Sequence, residues 1–424
     1  MNVLVIGGGG REHALVWKLA QSPLVQTLYC APGNPGIARL AECVDIGVQD
    51  FDRLEKFARE KDVDLTVVGP EAPLTAGIAG HFANAGLRLF GPTAAAARLE
   101  GSKSFAKDFM KRNGIPTAEY EEFDDAEAAI AYVREKGAPI VVKADGLAAG
   151  KGVTVARDLA QAEAAVRAAM VDRVFGEAGA KVVVEECLEG EEASVLAFCD
   201  GKTFLPMVPS QDHKPALDGD KGPNTGGMGA YSPAPVAGPE VMEQVERHIL
   251  RPCVEQMAAE GSPYAGVLYA GLMINEQGAK VVEINCRFGD PETQVVLPRM
   301  ISDIVPPMLA CCEGTLDQTS IDWSPEACVS VVMASGGYPG AYEKGKPISG
   351  IKEAEEEEGV IVFQAGTAER DGELVTNGGR VLNVTASGAD IPAAIEKTYR
   401  GVKRIAFEGA HYRTDIGQKA LKRG

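Results

Sequence analysis

Five short apolar runs, at residues 2–6, 28–30, 44–46, 65–68 and 88–90, are separated by polar segments of helix length. Strands that alternate with helices can bury both faces only as a parallel sheet covered by helices on each side. The first hundred residues are therefore expected to form one α/β domain ending near Gly101. At 424 residues the chain is long enough for two to four domains.

The pattern changes after Ser102. A helix is expected at 103–113, stopped by Gly114 and Pro116. A smaller unit follows, with a helix at 125–136, strands at 139–144 and 153–156, a helix at 159–171 and a strand at 181–186. Beyond it come a strand at 193–199, a glycine-rich stretch at 219–238, a long helix at 239–259, and strands near 267–274 and 280–285. From Cys328 onward, short strands punctuated by glycine pairs predict a small, mostly-β domain closed by a terminal helix. The expected division is 1–101, 102–327 with a lid subdomain at about 121–190, and 328–424.

Charge narrows the function. Acidic residues number 60 against 42 basic ones, a formal net charge of −18. Nucleic acids and anionic membranes need a net basic face, so neither is an expected partner. No uncharged apolar run approaches the ~20 residues of a membrane span. The opening residues carry no basic leader and break into glycine after Ile6, so they are not read as a secretory signal. The nine cysteines are an odd number with no CxxC spacing, the pattern of reduced thiols in a cytoplasmic protein.

The first glycine run, Gly7 to Gly10, lies between a strand and a helix, where backbone N–H groups and the helix dipole favour an anion. A dinucleotide fingerprint fails there. Counting from Gly7 puts Glu12 at the third glycine position, and counting from Gly8 puts His13 there. An anion- or substrate-facing turn is expected, against the plainer reading of tight packing between strand and helix.

The segment 143–153, KADGLAAGKGV, is similar to a P-loop but is followed by a strand, whereas a P-loop opens a helix. A flexible hairpin with flanking lysines can instead close over a polyphosphate, with Lys143 on the strand and Lys151 on the loop. The alternative is an exposed turn. In 182–194, an apolar strand runs into a carboxylate-rich connector, a suitable hinge for adenine and ribose, though such connectors are often only solvated.

The densest chemistry is at 281–294. Glu283 and Asn285 lie two apart on a strand and so share a face, with Ile284 turned to the core. Two oxygen ligands completed by phosphates and water suit Mg²⁺ or Mn²⁺. Arg287, Asp290 and Glu292 crowd the following turn. The polar stretch 210–231 is either a linker or a substrate loop whose glycines let backbone N–H groups approach a sugar or phosphate.

These elements occur in the order expected of the ATP-grasp ligases. Four motifs carry a closer resemblance: GGGGREHA at 7–14, KADGLAAGKGV at 143–153, HKPALDGDKGPNTGGMGAYSP at 213–233 and RFGDPETQ at 287–294. With GGYPG at 336–340 they span essentially the whole chain, which resembles the phosphoribosylamine–glycine ligase (glycinamide ribonucleotide synthetase) family. Cys187 departs from the aromatic usual after the paired glutamates and touches only hinge packing. Two rivals stand beside this reading. One is another ATP-grasp enzyme, such as a biotin-dependent carboxylase subunit or a carboxyaminoimidazole ribonucleotide synthetase. The other is a catalytically dead nucleotide sensor.

The resemblance implies an α/β and α+β multidomain ATP-grasp fold, with an N-terminal parallel domain and a C-terminal β-rich one. It implies ATP, glycine and 5-phosphoribosylamine as substrates, a glycyl phosphate intermediate, and a cytoplasmic enzyme acting as a monomer, with a dimer left open. It assigns Lys103, Lys143, Gly150, Lys151 and Gly152 to the nucleotide phosphates, and Glu185, Glu186, Leu188 and Glu192 to adenine and ribose. Glu283 and Asn285 are assigned to the metal, and Arg287 to the transferring phosphoryl group or acyl phosphate. Asp290, Asp212 and Lys214 would orient glycine and the amine. Gly8, Gly9, Gly10 and Arg11, with the turn of Asn224, Thr225, Gly226, Gly227, Met228 and Gly229, would hold the phosphoribosyl group. Arg287, Asp290 and Lys151 are the expected catalytic residues.

Overall fold

The structure is a computed structural model, and it describes residues 1–148 and 151–422. The N-terminal unit carries strands β1 (Asn2–Gly7), β2 (Thr27–Pro32), β3 (Glu42–Cys43), β4 (Leu65–Val68) and β5 (Leu89–Phe90). They form one sheet in the order β3-β2-β1-β4-β5, with every pair parallel. Helices α1 (Gly10–Leu19), α2 (Phe51–Glu60), α3 (Glu71–Thr75), α4 (Ile78–Asn84) and α5 (Ala94–Gly101) make the connections. Alternate residues of β1 serve different cores: Leu4 and Ile6 pack on one side of the sheet, Val3 and Val5 on the other. The third strand is Glu42–Cys43, and the apolar residues Val44 and Ile46 expected to form it lie just beyond. Both pack against the core, and Val44 N–H still donates to the Cys30 carbonyl of β2 at 2.9 Å, so the pairing fades just past the assigned strand.

Helix α6 (Lys103–Arg112) leads into a four-stranded antiparallel sheet of β6 (Tyr120–Phe123), β7 (Ile140–Ala144), β8 (Val153–Ala156) and β9 (Val182–Glu186), ordered β6-β9-β7-β8. Helices α7 (Ala126–Lys136) and α8 (Leu159–Met170) cover one face, burying Ile130, Val133 and Val166 in a small core of their own. The β7–β8 pair is the hairpin expected from KADGLAAGKGV, and its register runs from Ile140 opposite Ala156 to Lys143 opposite Val153.

A second antiparallel sheet is built from β10 (Glu191–Asp200) and β11 (Phe204–Pro206), with β16 (Ala265–Asn275) and β17 (Gly278–Asn285), ordered β11-β10-β16-β17. Between β11 and β16 the chain forms β12 (Gln211–Asp212), β13 (Pro215–Leu217), β14 (Lys221–Asn224) and β15 (Gly229–Ser232). The polar stretch is therefore largely strand. The expected long helix at 239–259 is present as two α segments joined through a π turn at Glu246–Leu250.

The C-terminal unit adds β18 (Ala327–Ala334), β19 (Val360–Gln364), β20 (Thr367–Arg370), β21 (Glu373–Thr376) and β22 (Arg380–Gly388), then the helix Ile391–Val402. Its main sheet has the order β12-β15-β18-β22-β19. Two strands of the polar stretch thus belong to the C-terminal sheet, which crosses the expected boundary at residue 328.

Candidate active site

A cavity of about 1730 Å³ opens between the two antiparallel sheets, and both the polar stretch and the C-terminal unit contribute to its wall. Among the expected residues, Lys103, Lys143, Lys151, Gly152, Glu185, Glu186, Leu188 and Glu192 line it. So do Asp212, Lys214, Asn224, Thr225, Gly226, Glu283, Asn285, Arg287, Asp290 and Arg11. Gly150 lies outside the described residues.

Lysines gather at one end. Ser102 caps α6, accepting from Phe105 N–H at 3.1 Å, and its hydroxyl also donates to Asp145 at 3.1 Å. This ties the helix to the hairpin and brings Lys103 Nζ within 3.2 Å of the Gly146 carbonyl. Lys143 bridges from β7 to Glu185 Oε2 at 2.9 Å and to the Val282 carbonyl at 2.9 Å. Lys107, one helical turn beyond Lys103, reaches the same Glu185 oxygen at 3.0 Å. Burial lowers the Lys107 pKa to about 8, with Glu185 opposing the shift. Glu185 Oε1 is buried without a hydrogen-bond partner. Glu186 is half-exposed, pairing with Lys280 at 3.0 Å. Lys151 is exposed on the hairpin.

The opposite wall is β17. Gly271 faces Glu283 while Leu272 faces Val281, so an irregularity falls at Val282 just before the acidic residue. Glu283 and Asn285 share the cleft face, and Ile284 is buried in the core behind them. Lys214 Nζ lies 2.8 Å from Glu283 Oε1, and that cation holds the carboxyl down at about 2. Burial works against the Lys214 charge, but Glu283 and Asp212 outweigh it and raise its pKa. Thr225 fixes the Lys214 backbone, donating to its carbonyl from both N–H (2.8 Å) and Oγ1 (2.7 Å). Glu283 and Asn285 together offer a carboxylate held ionised and a neutral amide oxygen, a donor set that fits a hard divalent cation sharing its shell with phosphates.

Arg287 is held by two carboxylates that sequence reasoning missed. Its Nη2 lies 3.0 Å from Glu100 at the end of α5, and its Nε 3.4 Å from Glu71 at the start of α3. Burial disfavours the guanidinium charge, yet Glu100 and Glu71 outweigh it and raise the pKa. Asp290 is likewise held ionised: burial would raise it, but Arg380 from β22 lies 3.1 Å away and lowers it. Glu292 accepts from Tyr269 at 3.0 Å and Ser194 at 3.2 Å, a buried network beside Asp212. Glu71, Glu100, Lys107 and Arg380 lie outside the motifs that point to the cleft, and nothing local gives them a task. Only the fold brings them together.

The glycines divide. Gly9 N–H donates to Glu12 at 2.6 Å, so the α1 N-terminus is already served by the chain's own carboxylate. A Cβ on Gly9 would stand 3.8 Å from Asp290. Gly8 packs against the Gly33 backbone and Gly10 against Asn383 and Gln294, which leaves no room for a side chain at either. Gly227, in the left-handed region at φ +115°, abuts Pro291. Met228 and Gly229 are buried where β15 meets β18.

Two antiparallel sheets closing on a lysine-lined cleft, one carrying a glycine-rich hairpin and the other a Glu-x-Asn strand, define an ATP-grasp ligase, a class that uses ATP. Models of Phosphoribosylglycinamide synthetase match the N domain at residues 1–100, the ATP-grasp (A) domain at 101–293 and the C domain at 328–419. The chain belongs to the phosphoribosylglycinamide synthetase family. A phosphoribosylamine–glycine ligase of Vibrio vulnificus (strain CMCP6) is 56% identical over 426 residues, covering 100% of this chain and 99% of that protein. The crystal structure of phosphoribosylamine–glycine ligase from Thermotoga maritima superposes with a TM-score of 0.85 at 33% identity, over 98% of this chain and 100% of that one. A biotin carboxylase from Campylobacter jejuni shares the fold, with a TM-score of 0.72 at 16% identity, over 99% of this chain and 95% of that one.

Proposed function

We propose that this chain joins glycine to 5-phosphoribosylamine at the expense of ATP, giving glycinamide ribonucleotide, ADP and phosphate in purine biosynthesis, through a glycyl phosphate. The observation that carries the reading is Arg287, fixed between Glu71 and Glu100 and lining the same cleft as the lysine cluster and Asp290. A carboxylate is a poor electrophile until it is phosphorylated. Its activation needs positioning and charge neutralisation rather than a protein nucleophile.

In the first step a glycine carboxylate oxygen attacks the γ-phosphorus and the bond to ADP breaks. Lys103, Lys143 and Lys151 face the nucleotide phosphates, and Arg287 stabilises the charge on the transferring group. In the second step the amine nitrogen of phosphoribosylamine attacks the acyl carbon. The carbon–oxygen bond to phosphate breaks, phosphate leaves and the nitrogen gives up a proton. Asp290, Asp212 and Lys214 orient glycine and the amine. Arg11 and the Asn224–Gly227 backbone hold the phosphoribosyl group, with Gly8, Gly9 and Gly10 shaping the strand-to-helix turn beside it. Glu185, Glu186, Leu188 and Glu192 take adenine and ribose. Glu283 and Asn285 would hold Mg²⁺ or Mn²⁺, which when bound neutralises phosphate charge.

The net charge of −18 supports small-molecule substrates rather than nucleic acid or anionic membrane, and among the described residues no helix is long and apolar enough to cross a membrane. The reading is of a cytoplasmic enzyme acting as a monomer, with a dimer left open. ADP release with Mg²⁺ and glycine, measured with and without phosphoribosylamine generated in situ, tests it. Release requiring both, with an equal amount of glycinamide ribonucleotide, is expected. Turnover indifferent to phosphoribosylamine would break the substrate assignment, and absence of ATP turnover would point to a nucleotide sensor.

A further inference from the structure

Arg380 opens β22 in the C-terminal unit, far in sequence from every motif of the cleft, yet it lines the cavity. Its guanidinium makes three contacts with two separate pieces of the site. Nη2 lies 3.1 Å from Asp290 Oδ2, and Nη1 donates to the Asp290 carbonyl at 2.7 Å and to the Gly226 carbonyl at 2.8 Å. The other side of Gly226 is held from the same unit, because its N–H donates to Tyr338 Oη at 3.1 Å. Space is tight here: a Cβ on Gly226 would stand 3.0 Å from Arg380 Cζ. The planar fork of arginine suits such a bridge, since it delivers several N–H groups in fixed directions at once.

We propose that Arg380 is a positioning residue, locking the Asp290 carboxylate and the Gly226–Gly227 turn into one unit so that the C-terminal unit governs use of glycine and of phosphoribosylamine but not of ATP. This rests on the ligase reading. The adenine and phosphate contacts assigned above come from α6, the β7–β8 hairpin and the run from the end of β9 to the start of β10, and the partners of the Arg380 guanidinium, Asp290 and Gly226, lie in none of them. Loss of the fork should therefore misplace both the carboxylate that orients glycine and the turn beside it, and leave the nucleotide pocket in register.

The test is steady-state kinetics of Arg380→Met, with Arg380→Lys in reserve should the first variant not fold, alongside Asp290→Asn and the double variant. The expected result is a KM for glycine raised about tenfold or more, as for loss of one charge-assisted contact, with the KM for ATP unchanged. The double variant should be no worse than the worse single one, because the two residues act as one unit. Amide exchange at 224–229 should also quicken in Arg380→Met. Equal shifts in both KM values, no shift in either, multiplying effects in the double variant or unchanged exchange would each overturn the proposal. Failure of the wild-type enzyme to form the amide would remove the ligase reading and this inference with it. Amide formed by the wild type with any of those contrary outcomes would remove this inference alone.

Discussion

Lys143 and Lys107 converge on a single carboxylate oxygen, Glu185 Oε2, at 2.9 and 3.0 Å, with all three side chains buried. One comes from the hairpin strand β7, the other from helix α6, so the carboxylate welds the lid sheet to the helix that follows the N-terminal unit. Removing it would strand two buried cations. Glu185→Ala should lower stability by about 3–5 kcal/mol, as breaking a buried ion pair from one side does. Urea unfolding followed by far-UV circular dichroism checks this; an unchanged midpoint would mean that the lysines find other partners.

Glu283→Ala should leave the fold intact, because the side chain faces the cleft and not the core behind β17. Turnover should fall by about 100- to 1000-fold. Near-normal activity at limiting Mg²⁺ would sink the assignment of this carboxylate to the metal.

Lys151 is exposed on the hairpin and pairs with no carboxylate in an ion pair among the described residues, so its loss should cost little stability. If the hairpin closes over the phosphates, Lys151→Ala should slow ADP formation by about 100-fold. Single-turnover measurement separates that step from binding, and an unaltered rate would return the hairpin to the status of a surface turn.

His13 links the first and last units of the chain: its Nδ1 accepts from Gln364 N–H at 2.8 Å, and burial lowers its pKa from 6.5 to about 4. A histidine with a lowered folded pKa contributes stability that is fully present above pH 6.5 and lost as pH falls through about 4. The shift corresponds to roughly 3 kcal/mol. Stability measured by urea should therefore drop between pH 7 and pH 4, and His13→Asn should make the drop shallower. The slope should persist in part, because buried His213 is lowered to about 3 and titrates in the same direction. An identical pH dependence in the variant would remove His13 from the acid response.

The parallel sheet, the hairpin and the Glu-x-Asn strand were legible because each follows from a local pattern: strand–helix alternation, glycines between two apolar runs, and a two-residue period. The polar stretch was not. With little aliphatic content it has no period to read; β13 and β14 pair only with each other, and β12 and β15 are held in a sheet by β18, nearly a hundred residues on. The partners of Arg287 and Asp290 were hidden for a related reason. Glu71, Glu100 and Arg380 are ordinary charged residues in their own neighbourhoods, and only long-range packing gives them a task. Gly8 and Gly10 show the reverse, since a motif that suggests ligand approach also serves close packing, of Gly8 on the Gly33 backbone and of Gly10 on the side chains of Asn383 and Gln294.

The antiparallel sheet β12-β15-β18-β22-β19, built from two distant segments, has a bearing on how this enzyme can be taken apart. Cutting the chain before β18 would not free a self-contained module. It would bare the edge of β15, leave Ser330 and Val331 without the backbone they pair with, and release the Gly226 turn from Tyr338 and Arg380. The two fragments would each expose an open strand edge seeking the other, so their natural behaviour on co-expression is to reassemble rather than to fold apart.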